Sequence, residues 1–235
     1  MERIIIAVGG GELRNKETLT IDEYICNLAK SRAGEKRATA LFIGTASHDY
    51  MPYYNSFHKI YTGEFGLKTD CALIVNTEYS DEKLDGKFEK ADLIYVGGGD
   101  TVFMLDKWKE RGLTDRILKA YKDGKIICGL SAGAICWFEN AYTDSYKLRG
   151  GNEYAVEPML GILKGNACPH FNERKNDFLS TERQGKWYCI ENNCALVFEN
   201  ERLKEVVSCG GKAYEYAGDG YFAQISDGFT KGSQH

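Results

Sequence analysis

Residues 129–133 read Gly-Leu-Ser-Ala-Gly, and a serine in a G-x-S-x-G frame has the residue type and spacing of a nucleophile held on a tight turn. The glycines have a physical reason. The chain folds back on itself at such a turn, and only small neighbours leave the hydroxyl exposed. A helix opening just after the serine also points backbone N–H groups at negative charge developing there. A glycine-rich turn with a serine N-cap would show the same five residues. The position of the segment, behind the apolar run 125–128 and ahead of a small-residue helix start, favours the nucleophile. A second segment, Gly97-Gly98-Gly99-Asp100-Thr101, also follows an apolar run, and its backbone amides could line an oxyanion hole or cradle an anion. It has neither the G-x-G-x-x-G spacing nor the Lys-Ser/Thr ending of a nucleotide-binding loop. Gly9-Gly10-Gly11-Glu12 is similar and reads as a plain turn.

A serine hydroxyl needs a base, and the chain has four histidines. His235 is terminal, and His48 and His58 lie in or beside an aromatic-rich helical pattern that suits surface or packing roles. His170, in Cys168-Pro169-His170-Phe171-Asn172, sits in a short rigid segment and is the base candidate by elimination. The eight cysteines, at 26, 71, 128, 136, 168, 189, 194 and 209, show no C-x-x-C spacing, which excludes zinc-ribbon and thioredoxin patterns. They read as reduced, mostly buried small hydrophobes. No metal and no organic cofactor is expected.

The elements that must position these residues follow from the alternation of apolar and polar-periodic runs. Strands are expected at 3–8, 38–43, 70–75, 93–96 and 125–128, and helices at 20–31, 50–65, 81–90 and 101–121, the last broken near Gly112. Runs this apolar suit a sheet covered on both faces. After Cys128 a helix over about 132–139 gives way to an irregular stretch, and further strands are expected at 195–198, 205–208 and 220–225. The fold class read from this pattern is α/β: a single doubly wound, mostly parallel sheet with helices on both faces and a partly antiparallel C-terminal edge. Ligands of such sheets bind beyond the carboxyl ends of the strands, which directs attention to the loops after Val8, Ile43, Val96 and Cys128.

The composition agrees with one domain spanning 1–235. The chain has 235 residues, 43% apolar and 27% charged, with 30 Lys+Arg against 34 Asp+Glu, a net charge of −4. Mild acidity argues against a nucleic-acid partner. The apolar run at residues 4–8 is too short for a signal-peptide core, and nothing approaches the roughly 18 apolar residues of a membrane span. A cytoplasmic protein, monomeric or a small homo-oligomer, with no membrane partner, is the expectation.

Three ordered blocks, GGGDT at 97–101, GLSAGA at 129–134 and CPHFN at 168–172, resemble the peptidase E family of aspartyl-dipeptidase serine peptidases related to cyanophycinase. The resemblance extends over nearly the whole chain. It implies a fold similar to class I glutamine amidotransferases, with Ser131 as nucleophile, His170 as general base and the amides of Gly99 and Ala132 as the oxyanion hole. It implies a small peptide as substrate, with Gly98, Asp100 and Arg183 in contact with it. Two residues compete for the triad acid. Glu199, closing the segment 195–199, is favoured by the resemblance. Asp144 matches another acidic position of the family and falls between Ser131 and His170. Arg183 is the match for the arginine of the family's acidic selectivity, although Arg174 is nearer in sequence and the residues between depart from the pattern. Asp100 stands where the family usually has asparagine and would repel an acidic substrate. Two alternatives stand beside the serine hydrolase: a non-catalytic ligand-binding member of the fold, and a glutaminase-like enzyme using Cys128 or Cys136.

Overall fold

Runs too uniformly apolar to leave a face in water become the interior of a sheet wrapped by helices. In chain order the first half comprises β1 (Ile4–Val8), α1 (Leu19–Ala33), β2 (Thr39–Ile43), α2 (Met51–His58), β3 (Lys68–Ala72), α3 (Asp81–Lys90), β4 (Leu93–Val96), α4 (Thr101–Glu110), α5 (Leu113–Lys122) and β5 (Ile126–Leu130). The second half comprises α6 (Ala132–Ile135), β6 (Asn140–Thr143), α7 (Ser145–Leu148), β7 (Ala155–Pro158), β8 (Asn166–Cys168), α8 (Phe171–Leu179), β9 (Trp187–Ile190), β10 (Cys194–Glu199), β11 (Arg202–Ser208), β12 (Ala213–Tyr216) and β13 (Phe222–Ile225). The computed structural model describes residues 2–77, 79–218 and 220–226, so His235 lies outside the described residues.

The larger sheet has seven strands in the order β11-β10-β1-β5-β4-β2-β3. Its first five strands in sequence run parallel, and β10 and β11 are antiparallel to them and to each other. This is the expected doubly wound sheet with an antiparallel C-terminal edge. The structure adds a second sheet of six strands, β13-β12-β9-β8-β6-β7, where the sequence reading placed only one. The segment 220–225, expected at the edge of the first sheet, is β13 of the second.

Local differences have local causes. The helix expected over 132–139 lasts one turn as α6, after which the chain passes through the buried Trp137 and Phe138 into β6. The helix expected over 50–65 divides into α2 and a wider turn at Lys59–Glu64. The break near Gly112 is present, with that residue at φ 62°, a backbone conformation that glycine adopts without strain.

One apolar cluster joins the two sheets, running from Ile5, Val96 and Ile127 to Ala141, Tyr188 and Ile190. The other face of the larger sheet, with Ile6, Tyr95 and Cys128, packs on Ile21 and Ile25 of α1 and Phe57 of α2. Each fully buried Ile, Val or Phe among them contributes about 1.5–3 kcal/mol. Six of the cysteines are buried, four within these two clusters and Cys168 and Cys189 in a third, around Tyr142, Phe178 and Trp187 on the second sheet. Among the described residues no helix is long and apolar enough to cross a membrane.

Candidate active site

The carboxyl ends of β1, β4 and β5 open onto one crevice, because these strands are parallel neighbours in register, with Val8 opposite Leu130 and Val96 opposite Gly129. Ser131 follows β5 directly. Its backbone sits at φ 53°, ψ −110°, outside the regions that non-glycine residues favour, at a cost of about 1–3 kcal/mol. Close packing holds it there. The Ser131 N–H donates to the Val8 carbonyl at 2.9 Å. A Cβ on Gly129 would lie 1.9 Å from the Gly133 carbonyl oxygen, and one on Gly133 would lie 2.2 Å from that of Val96. Both glycines of the frame are therefore required by the approach of backbone to backbone.

Ser131 Oγ is 2.8 Å from Nε2 of His170, which lies between β8 and α8 and whose own N–H donates to the Gly9 carbonyl at 2.9 Å. The ring's other nitrogen, Nδ1, is 2.6 Å from Oδ1 of Asn192. An Nδ1–H donating to that amide oxygen leaves Nε2 as a lone pair facing the serine hydroxyl. Burial pushes the imidazole below its ordinary pKa of 6.5, and the Arg174 guanidinium pushes the same way. The hydrogen bond to Asn192 and the charges of Glu173 and Asp144 oppose the shift. The ring is thus neutral at neutral pH, as a base must be.

Asn192 lies in the turn between β9 and β10, where the chain crosses from the second sheet to the first. Its N–H donates to Oδ1 of Asn172 at 2.9 Å and its Nδ2 to Oε1 of Glu173 at 2.5 Å. The N–H of Asn193 donates to the Gly10 carbonyl at 2.9 Å. A Cβ on Gly10 would stand 2.1 Å from Asn192 Oδ1 and 2.4 Å from His170 Nδ1, so the loop read as a plain turn is the floor beneath the histidine–amide contact.

Neither carboxylate expected beside His170 touches it. Glu199 is at the wrong end of its strand: β10 is antiparallel to β1, pairing Val8 with Ala195 and Ile4 with Glu199. Four residues of strand, roughly 13 Å, separate it from the serine end. Its carboxylate instead accepts from Lys204 Nζ at 2.5 Å. Asp144 does reach the crevice, but its hydrogen bond is to Nη2 of the buried Arg174, at 2.8 Å.

Ser131, His170 and Asp144 line a cavity of about 640 Å³ together with Gly98, Gly99 and Leu130. Gly11, Glu12, Leu13, Arg14, Tyr50 and Tyr53 are among the residues of its other walls. Gly98 passes close to the serine, since a Cβ there would come within 3.3 Å of Ser131 Cβ, and its N–H donates to the Tyr53 hydroxyl at 3.2 Å. Gly99, at φ 136°, presses on the Ala46 carbonyl, 2.2 Å from where a Cβ would sit. Ala132 is the first residue of α6, so its N–H has no acceptor within the helix.

Two expected substrate contacts are engaged elsewhere. Asp100 is buried as the N-cap of α4, accepting from the Phe103 N–H at 2.9 Å and from Arg149 Nε and Nη2 at 2.5 and 3.0 Å. Burial works against its charge, yet these bonds hold the carboxyl below its usual range. Arg183 lies over the rings of Tyr142 and Phe178, 4.7 and 5.3 Å from their centroids, in the aromatic layer of the second sheet. Neither lines the cavity. Cys128 and Cys136, the candidates for a thiol nucleophile, are fully buried, and desolvation raises both thiols well above their ordinary pKa. His48 packs on Phe103 and His58 bonds to Thr69, in keeping with packing and surface roles.

Sequence reasoning missed Asn192 because it sought an acid. The available signal was its place just before β10, the strand that borders β1 beside Gly9 and Gly10. Tyr53 joins the site from the other side: its ring packs on Phe42, and its hydroxyl reaches the glycine loop.

Comparison with known proteins places this chain among peptidases. The sequence model of the family described as Peptidase family S51 matches residues 5–206. The Bacillus subtilis (strain 168) protein named "Uncharacterized peptidase YgaJ" is 33% identical over 222 residues, covering 91% of each chain. The protein named "Peptidase E" of Streptomyces coelicolor is 26% identical over 175 residues, 63% of this chain and 69% of that one. Among solved structures, a peptidase from an acI-B1 Actinobacterium superposes with a TM-score of 0.74 at 19% identity, covering 97% of this chain and 96% of that one. A putative peptidase E protein from Listeria monocytogenes EGD-e gives 0.65 at 23% identity, over 88% of this chain and 99% of that one. At these identities the two structures share the fold.

Proposed function

The chain belongs to peptidase family S51, and we propose that it cleaves short peptides through an acyl-enzyme formed on Ser131. The observation that carries this reading is the 2.8 Å contact between Ser131 Oγ and a neutral His170 Nε2, both lining one cavity. Ser131 attacks the scissile carbonyl while His170 Nε2 takes its proton. The imidazolium that forms is held by Asn192 Oδ1, and it then gives the proton to the departing amine. Water enters and attacks the acyl carbonyl as the same nitrogen takes its proton, and that proton passes to Ser131 Oγ as the ester bond breaks and the acid product leaves. The amides of Gly99 and Ala132 accommodate the oxyanion of each tetrahedral intermediate. An amide as third member orients the histidine without a full charge, as in Cys-His-Asn proteases.

A cavity of about 640 Å³ suits a ligand of dipeptide to tripeptide size. With Arg183 laid over aromatic rings, acidic selectivity has no support from it, and Asp100, paired with Arg149, no longer argues against an acidic substrate. A reducing compartment, the cytoplasm, suits a chain with six buried cysteines. The test is a library of dipeptides and tripeptides with the N-terminal residue varied, run with the wild type and Ser131→Ala. Release of free amino acids by the wild type alone supports the reading. No turnover of any member would favour the non-catalytic, ligand-binding alternative.

A further inference from the structure

We infer that Glu173 is a positioning residue for the reaction: its carboxylate fixes the side-chain amide of Asn192 in the one orientation that leaves His170 able to act as base. The inference rests on the serine-hydrolase reading above and adds a fourth member to its relay, Ser131–His170–Asn192–Glu173.

An asparagine beside a histidine is ambiguous where an acid is not. A carboxylate only accepts hydrogen bonds, so it always selects the Nδ1–H form of the ring. A primary amide offers an acceptor on one side and two donors on the other, and a half-turn about its last bond exchanges them. With Oδ1 toward the ring, His170 carries its proton on Nδ1 and Nε2 is free to take the serine proton. With Nδ2 toward the ring, Nδ1 must accept, the proton moves to Nε2, and the ring cannot serve as base. Something has to choose between these states. At 2.6 Å from Nδ1 the chosen atom is Oδ1, and on the far side of the same amide Nδ2 is 2.5 Å from Glu173 Oε1. Turning the amide would set its oxygen against that carboxylate, two acceptors at hydrogen-bond distance. Glu173 is itself well placed, because its N–H donates to the His170 carbonyl at 2.9 Å in the first turn of α8. One short segment thus carries the base and the group that sets its tautomer, and the turn at Asn192 is clasped between them.

The carboxylate acts in a second way. Its negative charge opposes the depression of the His170 pKa by burial and Arg174, so it moderates how acidic the imidazolium becomes. The two effects separate in substitutions. Glu173→Gln keeps an oxygen that can accept from Asn192 Nδ2 but removes the charge. Glu173→Ala removes both. Glu173→Ala combined with Asn192→Asp removes the relay and supplies a carboxylate directly to His170 Nδ1.

The experiment measures kcat, KM and the pH profile of kcat/KM for these variants on a peptide that the wild type cleaves. Glu173→Ala is expected to lower kcat roughly tenfold or more with KM little changed, the loss of one hydrogen bond to a charged group. Its acidic limb should move to lower pH. Glu173→Gln should retain most of kcat while showing the same movement of the limb. The double variant should recover kcat relative to Glu173→Ala, with its limb moved to higher pH. Wild-type kcat and an unmoved limb in Glu173→Ala, with Ser131→Ala inactive, would overturn this inference and leave the serine reading standing. Full activity in Ser131→Ala would overturn both. If Glu173→Ala proves less stable, a double variant that stays inactive although its Tm matches the wild type also counts against the relay.

Discussion

Oδ1 of Asn192 stands 2.6 Å from Nδ1 of His170, in the place where a carboxylate was expected. The contact gives the base its tautomer, and it sits at the point where the chain passes from one sheet to the other. The site is therefore assembled from strands of both sheets: β5 supplies the serine, β8 leads to the histidine, and the turn from β9 to β10 supplies the amide.

Asn192→Ala should reduce kcat by about tenfold to a hundredfold, with KM within about threefold of wild type, since the side chain touches the base and not the cavity. Steady-state kinetics decides this. A change confined to KM would mean that the residue serves binding.

Gly10→Ala introduces a Cβ at 2.1 Å from Asn192 Oδ1, so either that side chain or His170 has to move. A displacement near 1 Å at a base costs about a hundredfold in rate. Activity should fall steeply in a protein whose far-ultraviolet circular dichroism is unchanged. Wild-type turnover would show that the contact tolerates displacement.

Activity should follow the state of His170. The base works only when neutral, and its folded-state pKa lies below 6.5. The acidic limb of kcat/KM should then inflect below pH 6.5, with a plateau through neutrality. An inflection well above that value would mean that burial and Arg174 do not govern the ring.

Asp22 allows a stability prediction away from the site. It is buried on α1 with hydrogen bonds from Thr18 Oγ1 at 2.8 Å and Tyr61 Oη at 2.9 Å, and burial raises its carboxyl from 3.8 to about 6. The folded state holds this proton more tightly than the unfolded state. Its contribution is full below pH 3.8 and is lost as pH rises through about 6, at about 1.4 kcal/mol per pH unit between those values. Asp22→Asn should raise the Tm at pH 7.5 and gain much less at pH 4.5. Equal differences at both pH values would contradict the assignment.

Most of the larger sheet was legible in the sequence because β1, β2, β4 and β5 are mainly apolar runs, and Gly112 marked the break between α4 and α5. The second sheet was not, because β6, β7 and β8 are three or four residues long and carry no sustained alternation. Ser131 and His170 could be found from local motifs. Asn192 could not, since its role depends on β10 running antiparallel to β1, and the same fact removes Glu199 to the opposite rim. Arg183 misled for a related reason: a guanidinium suited to a carboxylate is equally suited to lie over the rings of Tyr142 and Phe178.

The central claim is that His170 activates Ser131 as a nucleophile. Mass spectrometry of the folded protein after treatment with a fluorophosphonate tests it most directly. A single adduct on Ser131, abolished by prior unfolding and by His170→Ala, is the predicted result. A folded protein that takes no adduct on Ser131, or is modified equally when His170 is absent, would contradict it.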